Sequence, residues 1–386
     1  MRGFTAASLF DGQRLVEGGA VVVDDDGVVI AAGHREEVAR ATSAALEPIE
    51  GLLMPGLVDA FAMPSDAFLR GRTELGLGFA RWLDSVRVAR GAADEGEIED
   101  ARGRALDAAL AHGVAAMADV TTSHSSHAAL AARGLGSVTA QQIYGTARYE
   151  ATVALEAAVA GAPRGARWVP SAHALSTLHP DVARVTLREA RRRGGPAMLQ
   201  ADVSPAGRPD RPEQTLAALE EIGALEAGTV VAHVGGLGGA GWRALRDAGV
   251  HVVVSPRAAL AIELRLPAIG ELLAAGLGPS IGTGSPGATG DSDPLADARA
   301  VHERFPAAPL EALLRMVTSS PADALGLDRH GRLAPGARPG LLALVGPPAA
   351  GVPSAARAWL GRSRVPRRWI VAPRAEAHGT TTAHGA

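Results

Sequence analysis

Between residues 56 and 283 the chain alternates short apolar runs with helix-forming stretches, and this alternation narrows the choice of folds more than any other feature. Runs suited to buried strands lie at 56–60, 114–120, 167–172, 197–201, 229–233, 250–255 and 279–283. Stretches rich in Ala, Glu, Arg and Leu lie between them, at 97–112, 182–193, 213–224 and 262–275. A strand buried on both faces reads as a continuous apolar run, and parallel strands need helical crossovers. The pattern therefore predicts an α/β fold, with a closed (β/α)8 barrel of the TIM type as the reading. Periodicity alone leaves an open doubly wound sheet as the alternative. Gly235-Gly236-Leu237-Gly238-Gly239 follows a strand without the G-x-G-x-x-G spacing of a dinucleotide site, and reads as a βα loop.

The termini behave differently. Residues 5–33 read as short strands, with two apolar β-branched runs flanking the acidic turn Asp24-Asp25-Asp26, a hairpin signal. That acidic run reads as a turn rather than a cation site. Near the other end, the turn chemistry of 331–340 precedes the apolar run 341–345, and Trp369-Ile370-Val371 is a further strand candidate. Strands that open and close the chain predict a small composite β-sandwich from residues 1–53 and 335–373, with the barrel, 54–334, inserted between. Residues 374–386, rich in Thr, Gly, Ala and His, read as a disordered tail.

Composition removes several function classes. The net charge is -3, which argues against nucleic acid as a partner. There are no cysteines, so disulfides and thiolate metal sites are excluded. The chain also lacks lysine and asparagine, so all 38 formal cations are arginines. Schiff-base chemistry and a carboxylated lysine bridging two metals are thereby ruled out. No signal peptide and no membrane span are expected, which makes the cytoplasm the expected location.

Several segments, in this order, resemble the chlorohydrolase and aminofutalosine deaminase-like branch of the amidohydrolase superfamily. Leu53-Met54-Pro55-Gly56-Leu57-Val58-Asp59-Ala60 is similar to the segment that opens the barrel there. Leu69-Arg70-Gly71 and Gly78-Phe79-Ala80-Arg81-Trp82-Leu83 resemble the region after the first strand. Ser171-Ala172-His173-Ala174-Leu175-Ser176, Val230-Val231-Ala232-His233-Val234, Val254-Ser255-Pro256-Arg257 and Ile281-Gly282-Thr283-Gly284-Ser285 resemble later strand-end motifs. The segments 318–327 and 331–336 resemble the exit from the barrel. The resemblance implies a (β/α)8 barrel with a composite β-sandwich. It also implies a chemistry in which one divalent metal activates water against a C–N centre while an acidic residue shuttles protons.

The chain departs from that family pattern at most of its chemical positions. Phe61-Ala62-Met63 stands for His-x-His, and Leu199-Gln200-Ala201-Asp202 for His-x-x-Glu in a register open by one residue, where neither Leu199 nor Gln200 is a histidine; Asp202 is a shortened remnant of the proton shuttle. Gly284 stands where the eighth-strand Asp would be, and His233 alone remains of the expected ligand set. His173 matches a substrate-contacting position. The departures imply that no metal is held, and that a weakly polar pocket of Phe61, Met63, His173, Leu199, Gln200, Asp202, His233 and Gly284 replaces the metal pit. Plainer readings stand beside these. His233 reads as a packed core histidine, and His173 as a pocket or structural residue. Asp119 and Asp202 read as anchors or structural hydrogen-bonders. His124 and His127 read as a solvated loop rather than a new metal pair, and Phe79 and Trp82 as helix packing.

Three functions follow from the resemblance and its departures. The first is an inactive amidohydrolase-like protein with a small-molecule ligand. The second is an active deaminase with one zinc or iron in a site rebuilt around His173, His233 and Asp202, with His124 or His127. The third is a structural subunit in a hetero-oligomer with an active relative; separately, the family resemblance implies a homodimer. Purine-nucleoside-type ligands are implied by the branch, although Pro64-Ser65-Asp66 replaces a Leu-Glu-containing stretch.

Overall fold

The computed structural model describes residues 1–124, 126–201, 212–235, 237–345, 360 and 365–374. Eight parallel strands form one sheet in chain order. They are β5 (Leu57–Ala62), β6 (Val114–Thr121), β7 (Gly136–Ile143), β8 (Trp168–Ala174), β9 (Ala197–Gln200), β10 (Thr229–Ala232), β11 (His251–Val254) and β12 (Ser280–Ile281). The sheet closes on itself: Gly284, just past β12, bridges Ala62 at the end of β5. Gly284 N donates to Phe61 O at 2.8 Å and Met63 N donates to Gly284 O at 3.1 Å. This is the TIM-type barrel.

The β7 strand is absent from the apolar runs read in the sequence. Its Thr139, Gln141 and Gln142 interrupt the apolar pattern, yet all three are buried. Gln141 accepts from Trp168 Nε1 at 3.1 Å, which satisfies its side chain inside the packing. Of the expected helix over 262–275 only Ile269–Ala274 forms, and a separate short helix, Pro256–Ala261, precedes it. Glu263 adopts φ 57°, left-handed backbone that a helix cannot continue, and Pro267 follows.

The other crossover helices form for readable reasons. Asp94 caps the helix Glu95–Ala111 by accepting from Glu97 N at 2.9 Å, and Glu95 and Glu97 lie in its positive first turn. In the helix Pro180–Arg192, Val182, Ala183, Thr186, Leu187 and Ala190 fall on one buried stripe. The arginines at its end face the negative pole of the helix dipole.

Strands from both termini form a second, six-stranded sheet in the order β14-β13-β4-β1-β2-β3. Its members are β1 (Arg2–Phe10), β2 (Leu15–Val23), β3 (Val29–His34), β4 (Leu46–Pro55), β13 (Leu341–Leu344) and β14 (Arg367–Val371). The β2–β3 hairpin turns at Asp24, whose Oδ1 accepts from Asp26 N at 2.9 Å and Val28 N at 2.8 Å. Alternation along β4 and β13 splits the packing. Leu52, Met54, Leu342 and Leu344 join the barrel core, while Leu53, Leu341 and Ala343 pack with Phe4, Val21 and Ile49 in a separate cluster. Most of the expected tail, residues 375–386, lies outside the described residues. Among the described residues no helix is long and apolar enough to cross a membrane.

Candidate functional site

The barrel mouth follows from β5. Along its inward face run Asp59, Phe61 and then Met63, just past the strand end. Asp59 is fully buried and completely engaged. Its Oδ1 accepts from Phe61 N at 3.2 Å and Thr283 N at 3.0 Å, and its Oδ2 accepts from Thr283 Oγ1 at 2.6 Å. Burial pushes its carboxyl above the ordinary carboxylate range, and these hydrogen bonds pull against that. It is a clasp between the first and last strands, a role that the sequence reading missed. Gly282 makes the clasp possible, since a Cβ there would sit 2.4 Å from the Phe61 Cβ.

Above the clasp lies a cavity of about 610 Å3. Phe61, Met63, His173, Gln200, His233 and Gly284 all line it, so the structure brings these six sequence-selected residues together. Leu199 does not line it. Successive strand residues face opposite ways, so with Gln200 at the cavity Leu199 is turned into the surrounding core, where it is buried. Asp202 lies outside the described residues. Phe79 and Trp82, read as plain helix packing, also line the cavity, on the helix Phe79–Ala92 with Leu83 and Val86. Their i, i+3, i+4, i+7 spacing puts all four on one face of that helix. The Phe79 and Trp82 rings lie 5.7 Å apart.

The polar groups at the mouth are sparse and uncharged or paired. His173 shares a 2.6 Å hydrogen bond between Nδ1 and Thr177 Oγ1, and its ring lies 4.3 Å from that of Tyr144. Tyr144 donates to Gln142 Oε1 at 2.7 Å. His233 sits at φ 56°, and its ring meets Phe61 edge-on at 6.0 Å. Burial lowers the His233 pKa to about 4. Burial first, and the neighbouring His233 second, lower that of His173 to about 4. Both imidazoles are therefore neutral near pH 7. Asp66, buried at the cavity edge, is hydrogen-bonded to Arg90; burial raises its pKa while Arg90 and Ser285 oppose the shift.

The remaining candidates lie elsewhere. His124 places Nε2 3.0 Å from Ala158 O and packs its ring 5.7 Å from Trp168. His127 does not line the cavity. Asp119 is buried outside it, its carboxyl pushed up to about 6 by burial, with Ser126 and Arg102 pulling the other way. The Ser126 hydroxyl is near it without meeting hydrogen-bond geometry. A larger recess, about 840 Å3, is lined by Arg257, Asp291, Asp293, Glu303 and Arg367 among others, and shares no residue with the barrel mouth. Arg257 there is paired with Asp291 and Asp297, and Arg367 with Asp293.

A divalent ion such as zinc needs about four donors, from imidazole, thiolate or carboxylate. At the mouth Phe61 offers a ring, Met63 a thioether, Gln200 a carboxamide and Gly284 no side chain. Among the described residues no group of three or more His, Cys, Asp or Glu converges. The described donor set does not fit a zinc or iron ion.

No curated protein sequence matches the chain. Solved structures do. An adenosine deaminase from Xanthomonas campestris with bound zinc is 20% identical, with 89% of this chain and 84% of that one covered and a TM-score of 0.75. The aminofutalosine deaminase of Helicobacter pylori, in complex with methylthio-coformycin, is 15% identical over 97% and 99% of the two chains, with a TM-score of 0.81. The atrazine chlorohydrolase of Arthrobacter aurescens complexed with zinc is 17% identical over 99% and 97%, with a TM-score of 0.79. At these identities the likeness speaks to the fold. The sequence model of the amidohydrolase family matches residues 52–359, the whole barrel and the segment that follows it. This chain belongs to the amidohydrolase family.

Proposed function

We propose that the protein is a non-catalytic amidohydrolase that uses the barrel mouth of its family as a binding pocket for a small molecule. One observation carries this reading. Phe61, Met63, Gln200 and Gly284 stand at strand ends where the family resemblance calls for metal ligands, and all four line a single cavity of about 610 Å3. Cavities of this size hold small ligands, and apolar walls with a few placed polar groups are their usual make-up. Two neutral imidazoles and a carboxamide cannot lower the pKa of water as a bound divalent ion would. The reading extends to a metal-free working state, with no cofactor.

The test is an assay for ammonia release from amino-substituted heteroaromatic compounds, with the full chain incubated with zinc or iron(II). The expected result is no release above the buffer blank with either metal. Release that needs the metal, and that a chelator abolishes, contradicts the reading.

A further inference from the structure

We infer that the pocket selects an uncharged ring compound with a hydrogen-bond donor and an acceptor side by side on one edge, of which a cyclic amide is the simplest case. The inference rests on the non-catalytic pocket reading and adds the chemical class of the ligand.

Three observations converge. The first is a set of polar atoms that no described residue uses. Among the described residues, the Gln200 carboxamide and the His233 imidazole have no hydrogen-bond partner, and His173 spends only Nδ1, on Thr177. These atoms are not among the polar atoms sealed inside protein without a partner, such as those of Ser65 or Asp119. Gln200 is 6% exposed and lines the cavity. A carboxamide offers donors and an acceptor in one plane, and a neutral imidazole offers one of each. A cis-amide edge, C=O beside N–H, answers a carboxamide with two antiparallel hydrogen bonds.

The second observation is charge. The described ionisable side chains at the cavity are Asp66, Arg87, Arg90, Tyr144, His173 and His233. Asp66 is paired with Arg90, Arg87 donates to Asp84 at 3.0 Å, and Tyr144 is hydrogen-bonded to Gln142. Both imidazoles are neutral. No described group offers an unmatched charge to a carboxylate, phosphate or ammonium ligand, and burying an unpaired charge is strongly unfavourable.

The third is shape. Phe61, Met63, Phe79, Trp82, Leu83 and Ile262 give apolar walls around those polar atoms. Aromatic side chains favour a flat ring stacked or met edge-on.

Three probes of similar shape test this on the full chain by calorimetry at pH 7.5. They are 2-quinolone, a neutral cyclic amide; naphthalene, which lacks the polar edge; and 2-naphthoate, which carries a carboxylate. We expect 2-quinolone to bind roughly ten-fold more tightly than either of the others, the size of one well-made hydrogen bond. Gln200→Met should erase that advantage and leave naphthalene binding unchanged. Gln200→Glu, which keeps the shape but loses the donors, should weaken 2-quinolone as well, so that a folding defect in one variant does not decide the matter. Equal binding of 2-quinolone and naphthalene overturns the inference and leaves the pocket reading standing. Tighter binding of 2-naphthoate overturns it too. If no probe binds, the inference falls, and the ammonia-release assay decides the non-catalytic reading separately.

Discussion

Asp59 and Phe61 lie two residues apart on the same face of one strand, and they belong to regions built on opposite rules. At the seam, each carboxylate oxygen of Asp59 is engaged and Gly282 leaves no room for a Cβ. At the mouth, Phe61 and Met63 are apolar, and Gln200 and His233 have no partner among the described residues. A satisfied buried carboxylate holds a barrel closed. Polar atoms left open on a cavity wall await something to bind. On the reading proposed above, the family frame is kept while the chemical layer at its mouth is rewritten.

The largest expected effect is a gain at the mouth. Phe61→His, Met63→His, Gln200→His and Gly284→Asp together should create zinc binding with a Kd of about a micromolar or tighter, about 8 kcal/mol of binding, measured by competition with a chromogenic chelator. Each single change should give none, because one added imidazole does not hold the ion. If the quadruple variant stays blind to zinc, the four positions are not the old ligand sites, and the contrast between seam and mouth loses its meaning.

Breaking the seam comes next. Asp59→Ala leaves three donors without their acceptor, each costing about 1–3 kcal/mol, so a loss of about 3 kcal/mol or more is expected in urea denaturation. Met63→Leu, four residues along, should cost less than about 1.5 kcal/mol as a volume-conserving change. Equal losses would show that the two regions do not differ.

Acid should act on the mouth. His173 and His233 titrate at about 4 when folded, against an ordinary value of 6.5. The unfolded chain therefore takes up protons first as pH falls. Stability from these groups is complete above about pH 6.5 and is lost as pH drops toward 4, at most about 3 kcal/mol for each histidine. The double variant His173→Gln with His233→Gln should flatten unfolding free energy across that window. An unchanged slope would mean that neither histidine is held neutral.

The smallest effect separates two glycines. Gly282→Ala forces a Cβ against the Phe61 backbone, so about 1–3 kcal/mol of overpacking is expected. Gly284 has φ 69° and only a 3.2 Å approach to the Ala258 Cβ, so Gly284→Ala should cost about 1 kcal/mol, mostly for its left-handed backbone. Thermal melts of the two variants rank them; the reverse order would place the tight seam at the wrong residue.

The frame was legible because burial on both faces writes a strand as an apolar run, and most barrel strands carry one. The β7 strand escaped because Thr139, Gln141 and Gln142 are buried polar residues, and what satisfies Gln141 comes from the neighbouring strand. The sequence sets Leu199 at the cavity beside Gln200 because a one-residue register, which reverses every side chain, is not fixed by composition. Phe79 and Trp82 carry the same helical spacing whether they pack on a barrel or roof a cavity, and only the space beneath them decides. Asp59 was visible as part of the opening motif, but its partner Thr283 is 224 residues away, so the clasp could not be read from local pattern.

A non-catalytic mouth depends on the missing donors, so metal content is the decisive measurement. The full chain, expressed in medium supplemented with zinc and iron and then dialysed without chelator, is analysed by inductively coupled plasma mass spectrometry. Zinc and iron are expected far below one ion per chain. One tightly retained ion per chain, displaced only by a chelator, would contradict it.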